Sequence, residues 1–333
     1  MRVRSLVEGL CLLLPLVIQT SLAIPHHWRN YQTRPASKVF QLEQNGTWFE
    51  NLAVRSNGNL IATRIDSPEL WSIVPSGNTS HPGHGSLLLK FPNALSTLGI
   101  AEIDHDVFAI LAGNISLPGI IPTPGSFVVW TVNLTSAIPE AKVLAPLPGG
   151  YFLDGMTKFG DDLLLISDAR KGIIWRLNIT SGESSVALSD ASMLPAPPGQ
   201  AVQVGVNGLK IWQNYVYYTS TSHEIFARVP VDGNATAVGP VEIITSGFSF
   251  DDFILTPNGT AYLSTNPQNE VIQVSPQGRV RLFAGNQFML SVGGSTAIAV
   301  NHEHSIMYVA TSGAQFAPVL GRMEPAKVAA IPL

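Results

Sequence analysis

Oxygen-bearing side chains recur at the heads of short apolar segments in this chain. Glu50 precedes Asn51-Leu52, Glu102 lies in GIAEI, and Asp154 opens DGMTKF. Asn207 opens NGLKIW, Asp251 and Asp252 open DDFIL, and Ser295 and Thr296 follow Gly294. Carboxylates, amides and hydroxyls gathered at one place suit a hard cation such as Ca²⁺, which takes six or more oxygens. The same groups could equally hydrogen-bond crowded backbone and ordered water in a channel. Around them stand Arg64, Arg170 and Lys171 as candidate donors, and Asn266 as a further polar side chain. Phe49, Leu153, Met156, Phe250, Phe253, Phe288 and Met289 are candidate apolar walls, and each also reads as plain core.

A repeat is what would gather these residues. One apolar β-rich pattern occurs as NLIATR (59–64), VFAILA (107–112), LLLISD (163–168), VYYTST (216–221), AYLSTN (261–266) and MYVATS (307–312). A second, alternating pattern follows as LWSIVP, VWTVNL, IWRLNI, IFARVP and VIQVSP, with KVAAIPL (327–333) as a sixth copy. The segments upstream begin at Glu50, Gly99, Asp154, Asn207, Asp251 and Gly294, 43 to 55 residues apart. Several strands per unit at that period predict an all-β fold, a six-bladed β-propeller. VFQLE (39–43) has no partner of its own and is expected to close the last blade against the C-terminal strand. A pair of β-sandwiches is the alternative. No stretch shows a helical stripe.

Composition agrees. Charged residues are 13% and hydrophobic residues 45%, with 29 Gly and 24 Pro. That excludes a disordered polar chain and a coiled coil. A net charge of −4 leaves no basic surface for a phosphate backbone, so no nucleic-acid partner is expected. Residues 1–23 read as a signal peptide: Arg2 and Arg4, an apolar run from Leu10 to Ile18, then Ser21 and Ala23. The run is short for a membrane span, so a secretory-pathway or secreted protein without a span in its mature chain is expected. Residues 24–37 form a lead-in and 38–333 the propeller. The one cysteine, Cys11, falls in the peptide, so the mature chain has no disulfide or thiolate metal site. Asn45, Asn78, Asn114, Asn133, Asn178, Asn234 and Asn258 each open a glycosylation sequon, against about three expected by chance.

In its repeat layout and strand-start residues, the chain from about residue 38 to 333 resembles the SMP-30/gluconolactonase/LRE-like propellers. In that family a Glu, two Asn and an Asp hold one divalent cation. Glu50 matches the Glu, Asn207 in Asn207-Gly208-Leu209 one Asn, and Asp251, eight residues before Gly259, the Asp. The other Asn is expected just before Asp154-Gly155, where this chain has Leu153, so the implied set is short of one ligand. A narrower resemblance, carried by the signal peptide, the sequons, the cysteine-free mature chain, the Trp-bearing second patterns and the altered metal position, is to fungal secondary-metabolism propellers. These include hetero-Diels–Alderases of tropolonic sesquiterpenoid biosynthesis.

That resemblance implies a reaction without a cofactor, in which a tropolone-derived o-quinone methide and a humulene-type alkene, both apolar, are oriented in the channel mouth. Such a site needs a dry pocket and a donor on the heterodiene oxygen. Arg64, Arg170 and Lys171 are the expected donors, and Glu50, Asp154 and Asp251 the expected acid or base groups. Metal-dependent lactone hydrolysis is the alternative, with Ca²⁺ on Glu50, Asn207 and Asp251 and with Asp154 or Glu102 as base. A propeller that binds a small molecule without converting it is a third reading. Gly-x-Ser-x-Gly is absent. His302-Glu303-His304 reads as a solvated turn, and His81-Pro82-Gly83-His84-Gly85 as a surface loop.

Overall fold

The computed structural model describes residues 33–75, 83–199 and 203–333. The signal-peptide reading, most of the lead-in, Asn78 and His81-Pro82 fall outside them. The described chain forms six four-stranded antiparallel sheets and one two-stranded ribbon (Ile115–Ser116 with Ile121–Pro122). Each sheet is one blade. The upstream segments are the inner strands of blades one to six: Phe49–Val54, Ser96–Asp104, Leu153–Phe159, Val206–Trp212, Phe253–Leu255 and Ser295–Val300. The two repeated patterns are the second and third strands. In the last blade Ser37–Gln41 pairs with Lys327–Pro332 and supplies the outer strand, so the N-terminal strand closes the ring. His84 does not lie in a loop; it opens the outer strand of blade one, His84–Lys90.

The second strands are buried almost throughout, because they lie inside a sheet covered on both faces by neighbouring blades. Core clusters therefore sit between blades. Leu52 and Ala62 of blade one pack with Tyr308 and Ala310 of blade six. Phe226 meets Phe253 edge-on at 5.0 Å, joining blades four and five, a geometry worth about 0.5–1.5 kcal/mol beyond the area it buries.

Every inner strand opens with the same irregularity. Phe49 pairs with Arg64 and Leu52 with Ala62, so three steps on one strand oppose two on the other. The same bulge occurs at Thr97/Ile100, Leu153/Met156, Val206/Leu209 and Ser295/Ile298. In blade five, Ser264 exchanges backbone hydrogen bonds with both Asp251 and Asp252. A bulge re-aims the side chain it carries. Here the first bulged residue of each blade is Glu50, Leu98, Asp154, Asn207, Asp251 or Thr296, and these six form the axial ring. The second is Gly in three blades. A Cβ on Gly155 would stand 2.5 Å from the Asn207 carbonyl oxygen of the next blade, so glycine there permits close approach of adjacent backbones. Hydroxyls on the second strands brace the same seam: Thr63 Oγ1 donates to the Leu98 carbonyl at 2.6 Å, and Thr219 Oγ1 to that of Asp251 at 2.6 Å.

Candidate active site at the channel mouth

The ring brings three carboxyls, an amide and a hydroxyl together on the axis, all buried. Asn207 Nδ2 donates to Asp251 Oδ1 at 3.1 Å, and Asn266 Nδ2 to Asp251 Oδ2 at 3.2 Å. Ser312 Oγ in turn donates to Asn266 Oδ1 at 3.1 Å. At the second bulged position, Asp252 receives Lys210 Nζ at 2.6 and 2.8 Å and Asn51 Nδ2 at 3.1 Å. Asp252 is therefore held ionised in an ion pair, while among the described residues no cation pairs with the three ring carboxyls.

Their protonation follows from that. Burial raises Glu50 well above the carboxylate range, and Asp251 and Asp154 raise it further. Burial, then Asp154, raises Asp251, with Asn266 and Asn207 holding it partly down. Burial, then the charge of Asp252, pushes Asp154 up to about 7. Desolvation and like charges act in the same direction here, so the cluster retains protons near neutrality. It can donate hydrogen bonds as well as accept them.

The set has the oxygen chemistry a hard cation takes, and Glu50 Oε2 is buried without a partner. However, both Asp251 oxygens already accept from Asn207 and Asn266. Among the described residues, no three acidic, His or Cys side chains converge as a cation cage. The arrangement as it stands does not fit a divalent ion, and no step is assigned to one.

Several sequence expectations change here. Asp154 occupies the blade-three ring position, as its place at the head of DGMTKF implies, so the position that the family resemblance left to Leu153 carries an oxygen donor; Leu153 and Met156 are not channel walls but core between blades. Glu102 is exposed at the far end of its strand, where Oε1 accepts from the Asp106 N–H at 2.9 Å; Leu98 takes the blade-two ring position. Ser295 Oγ is held by the Glu270 carbonyl and the Thr265 N–H; Thr296 takes the bulge position of blade six, its Oγ1 donating to the Phe49 carbonyl at 2.7 Å. Phe49, Phe250 and Phe253 are completely buried and line no open wall. Arg64 is not a free donor: its guanidinium is spent on Asp66 and Glu69. Arg170 bonds Gln203 at 2.5 Å, and Lys171 sits over the Trp175 ring at 5.5 Å; neither contacts the ring residues. His302 Nε2 bonds the Arg55 carbonyl oxygen at 2.9 Å in an exposed turn.

The residues missed are Trp48, Leu98, Asn51 and Lys210. Trp48 had a readable signal: Trp48 and Glu50 alternate on one strand start and so face the same way.

Exposed apolar side chains gather on the mouth face. Inner strands begin there, so the connections between blades and the turns from second to third strands all open on it. Among the described residues, nine of the fifteen exposed large apolar side chains lie on these loops. They include Leu95, Tyr151, Leu194, Phe288, Phe316 and Leu320, from five different loops. Phe288 and Met289 are thus on the rim as exposed residues. Asn133, Asn178, Asn234 and Asn258 lie at the opposite face, and Asn45 and Asn114 on the mouth side; none of these six is buried. No helix among the described residues is long and apolar enough to cross a membrane.

No family model matches the chain. A Phoma sp protein named "Putative hetero-Diels-Alderase" is 23% identical over 296 residues, covering 80% of this chain and 83% of that protein. A second, from Sarocladium schorii and named "Putative hetero-Diels-Alderase asR5", is 25% identical over 217 residues, covering 59% of this chain and 54% of that one. Among solved structures, the calcium-binding protein regucalcin from Agrobacterium tumefaciens aligns with a TM-score of 0.63 at 13% identity, over 91% of this chain and 96% of that chain. A gluconolactonase from Xanthomonas campestris aligns with a TM-score of 0.61 at 11% identity, over the same shares. The chain is thus similar in sequence to proteins named as hetero-Diels-Alderases and has the six-bladed propeller fold of regucalcin and gluconolactonase.

Proposed function

We propose that this protein is a cofactor-independent cyclase that catalyses a hetero-Diels–Alder reaction at the channel mouth. Its substrates are a tropolone-derived o-quinone methide and a humulene-type alkene, and its place is the secretory pathway or outside the cell. The observation that carries the reading is the rim of exposed apolar side chains surrounding a buried, proton-retaining oxygen cluster. The names of the sequence relatives support it.

The chemistry asks little of a nucleophile. One C–O and one C–C bond form together, and nothing is oxidised, reduced or expelled. Rim side chains exclude water and hold the two partners in register, and orientation alone can supply up to about 7–11 kcal/mol of the barrier. A hydrogen bond from a protonated ring carboxyl to the heterodiene oxygen stabilises the charge that builds there. The same carboxyls suit an earlier loss of water, in which one proton joins the departing hydroxyl and another leaves the ring hydroxyl.

Incubation of the purified protein with the quinone-methide precursor and the alkene in EDTA tests this, with the adduct resolved by chiral chromatography. A single stereoisomer forming faster than background supports it. A racemic adduct at the background rate refutes it. Chelator-sensitive hydrolysis of lactones, with no adduct, would turn the assignment to a hydrolase.

A further inference from the structure

We propose that the indole N–H of Trp48 is the donor that receives the carbonyl oxygen of an apolar substrate at the mouth. Trp48 is 4% exposed and its Nε1 has no hydrogen-bond partner. It lies beside the Glu50 carboxyl and offsets part of that group's pKa rise. That interaction is weak: its geometry falls short of a full hydrogen bond, so Trp48 Nε1 and Glu50 Oε2 are both left buried without a well-formed partner. An unpaired donor and an unpaired acceptor therefore stand side by side next to the axial ring. Leaving such groups unsatisfied is costly, and a ligand oxygen or hydroxyl would relieve both.

The donor is held in place from several directions. The Trp48 backbone N–H donates to Asp66 Oδ1 at 2.9 Å, and Asp66 is gripped by Arg64. Next to it, the Thr47 carbonyl accepts from Gln315 Nε2 at 2.9 Å, and Thr47 Oγ1 accepts from the Ala326 N–H at 3.0 Å. Phe316, on the same 312–326 loop as Gln315, meets the indole edge-on at 5.2 Å. Its exposed ring continues the apolar rim from the polar spot outward. The site thus offers one fixed N–H at the inner end of an apolar surface. That suits a terpenoid-sized ketone or enone better than the matching hydrocarbon.

The substrate role rests on the cyclase reading; the binding test does not, since it needs no turnover. The probes are β-ionone and its methylene analogue, in which C=CH₂ replaces C=O. Nitrogen-15 indole spectra of the wild-type protein are recorded with each, and the Trp48 resonance is assigned by Trp48→Phe or by the ring-current change in Phe316→Ala. The expected result is a downfield shift of the Trp48 indole proton with the ketone alone. A roughly tenfold tighter binding of the ketone is expected too, falling to about equal binding in Trp48→Phe. An unmoved Trp48 resonance, a ketone preference retained in Trp48→Phe, or no discrimination by the wild type would overturn the proposal. If Trp48→Phe does not fold, the wild-type spectra decide. A ketone-specific shift in a protein that forms no adduct would sink the cyclase reading and leave the donor standing.

Discussion

Replacing Asp154 by Asn tests the electrostatics of the ring directly. In the fold the Asp154 carboxyl titrates at about 7, against an ordinary 3.8, through burial and the charge of Asp252. Each unit corresponds to about 1.4 kcal/mol, so ionising this group in the folded state costs at most about 4 kcal/mol. The unfolded chain releases the proton near pH 4 while the folded chain keeps it to near 7. Over that window the folded state holds the extra proton, and stability falls as pH rises, by up to about 1.4 kcal/mol per pH unit. The contribution is complete below about pH 4 and gone above about pH 7. Asp154→Asn keeps the shape and removes the charge. Urea unfolding in EDTA, followed by tryptophan fluorescence, should show the variant close to wild type at about pH 4 and several kcal/mol more stable at about pH 8. The residual slope belongs to Glu50 and Asp251. An unchanged slope, or a variant less stable than wild type at the higher pH, would refute the account of a crowded, uncompensated carboxyl cluster.

Three other changes probe the surrounding architecture. Asp66→Ala leaves the Arg64 guanidinium with Glu69 alone and strips the Trp48 backbone N–H of its acceptor; unfolding should show a loss of about 2–4 kcal/mol, and the Trp48 indole resonance should move. Gly208→Ala would drive a Cβ into the Asp252 carboxylate and to 3.0 Å from the Asp251 carbonyl oxygen; thermal unfolding should record a loss of about 1–3 kcal/mol. Phe288→Ser with Met289→Ser alters only exposed rim groups; stability should stay within about 0.5 kcal/mol, while KM for the apolar substrate rises about tenfold.

The repeat was legible because its second and third strands are short, apolar and evenly spaced, which is what a strand buried in a stacked blade requires. The ring was legible in every blade but the second, with two neighbours left open in blades five and six. Glu50, Asp154, Asn207 and Asp251 stand at the ring positions expected of them, and Thr296 rather than Ser295 takes the position of blade six, where either was open; Glu102 is the exception, since Leu98 holds the position of blade two. Glu102 misled because the ring position of its blade is an apolar Leu98, four residues earlier; the open pairs Asp251/Asp252 and Ser295/Thr296 come from the bulge at each inner-strand start. Two residues there oppose one, so simple alternation does not say which of them faces the axis. Arg64 failed for another reason. Its donors go to Asp66 and Glu69, only two and five residues away, a local pairing that composition does not reveal. Exposed loop residues such as Leu95, Leu194 and Leu320 carry no periodic signal; their shared face appears only when six separate connections converge.

The seam between Ser37–Gln41 and Lys327–Pro332 joins residues almost 300 apart, with Ser37 lying opposite Ala330. The first strand of the propeller to leave the ribosome therefore has no partner until nearly all the others have been synthesised. Five blades can assemble from neighbouring sequence, but the circle is sealed by the longest-range pairing in the molecule. Nicking or deleting either end should release the clasp while leaving the middle blades intact.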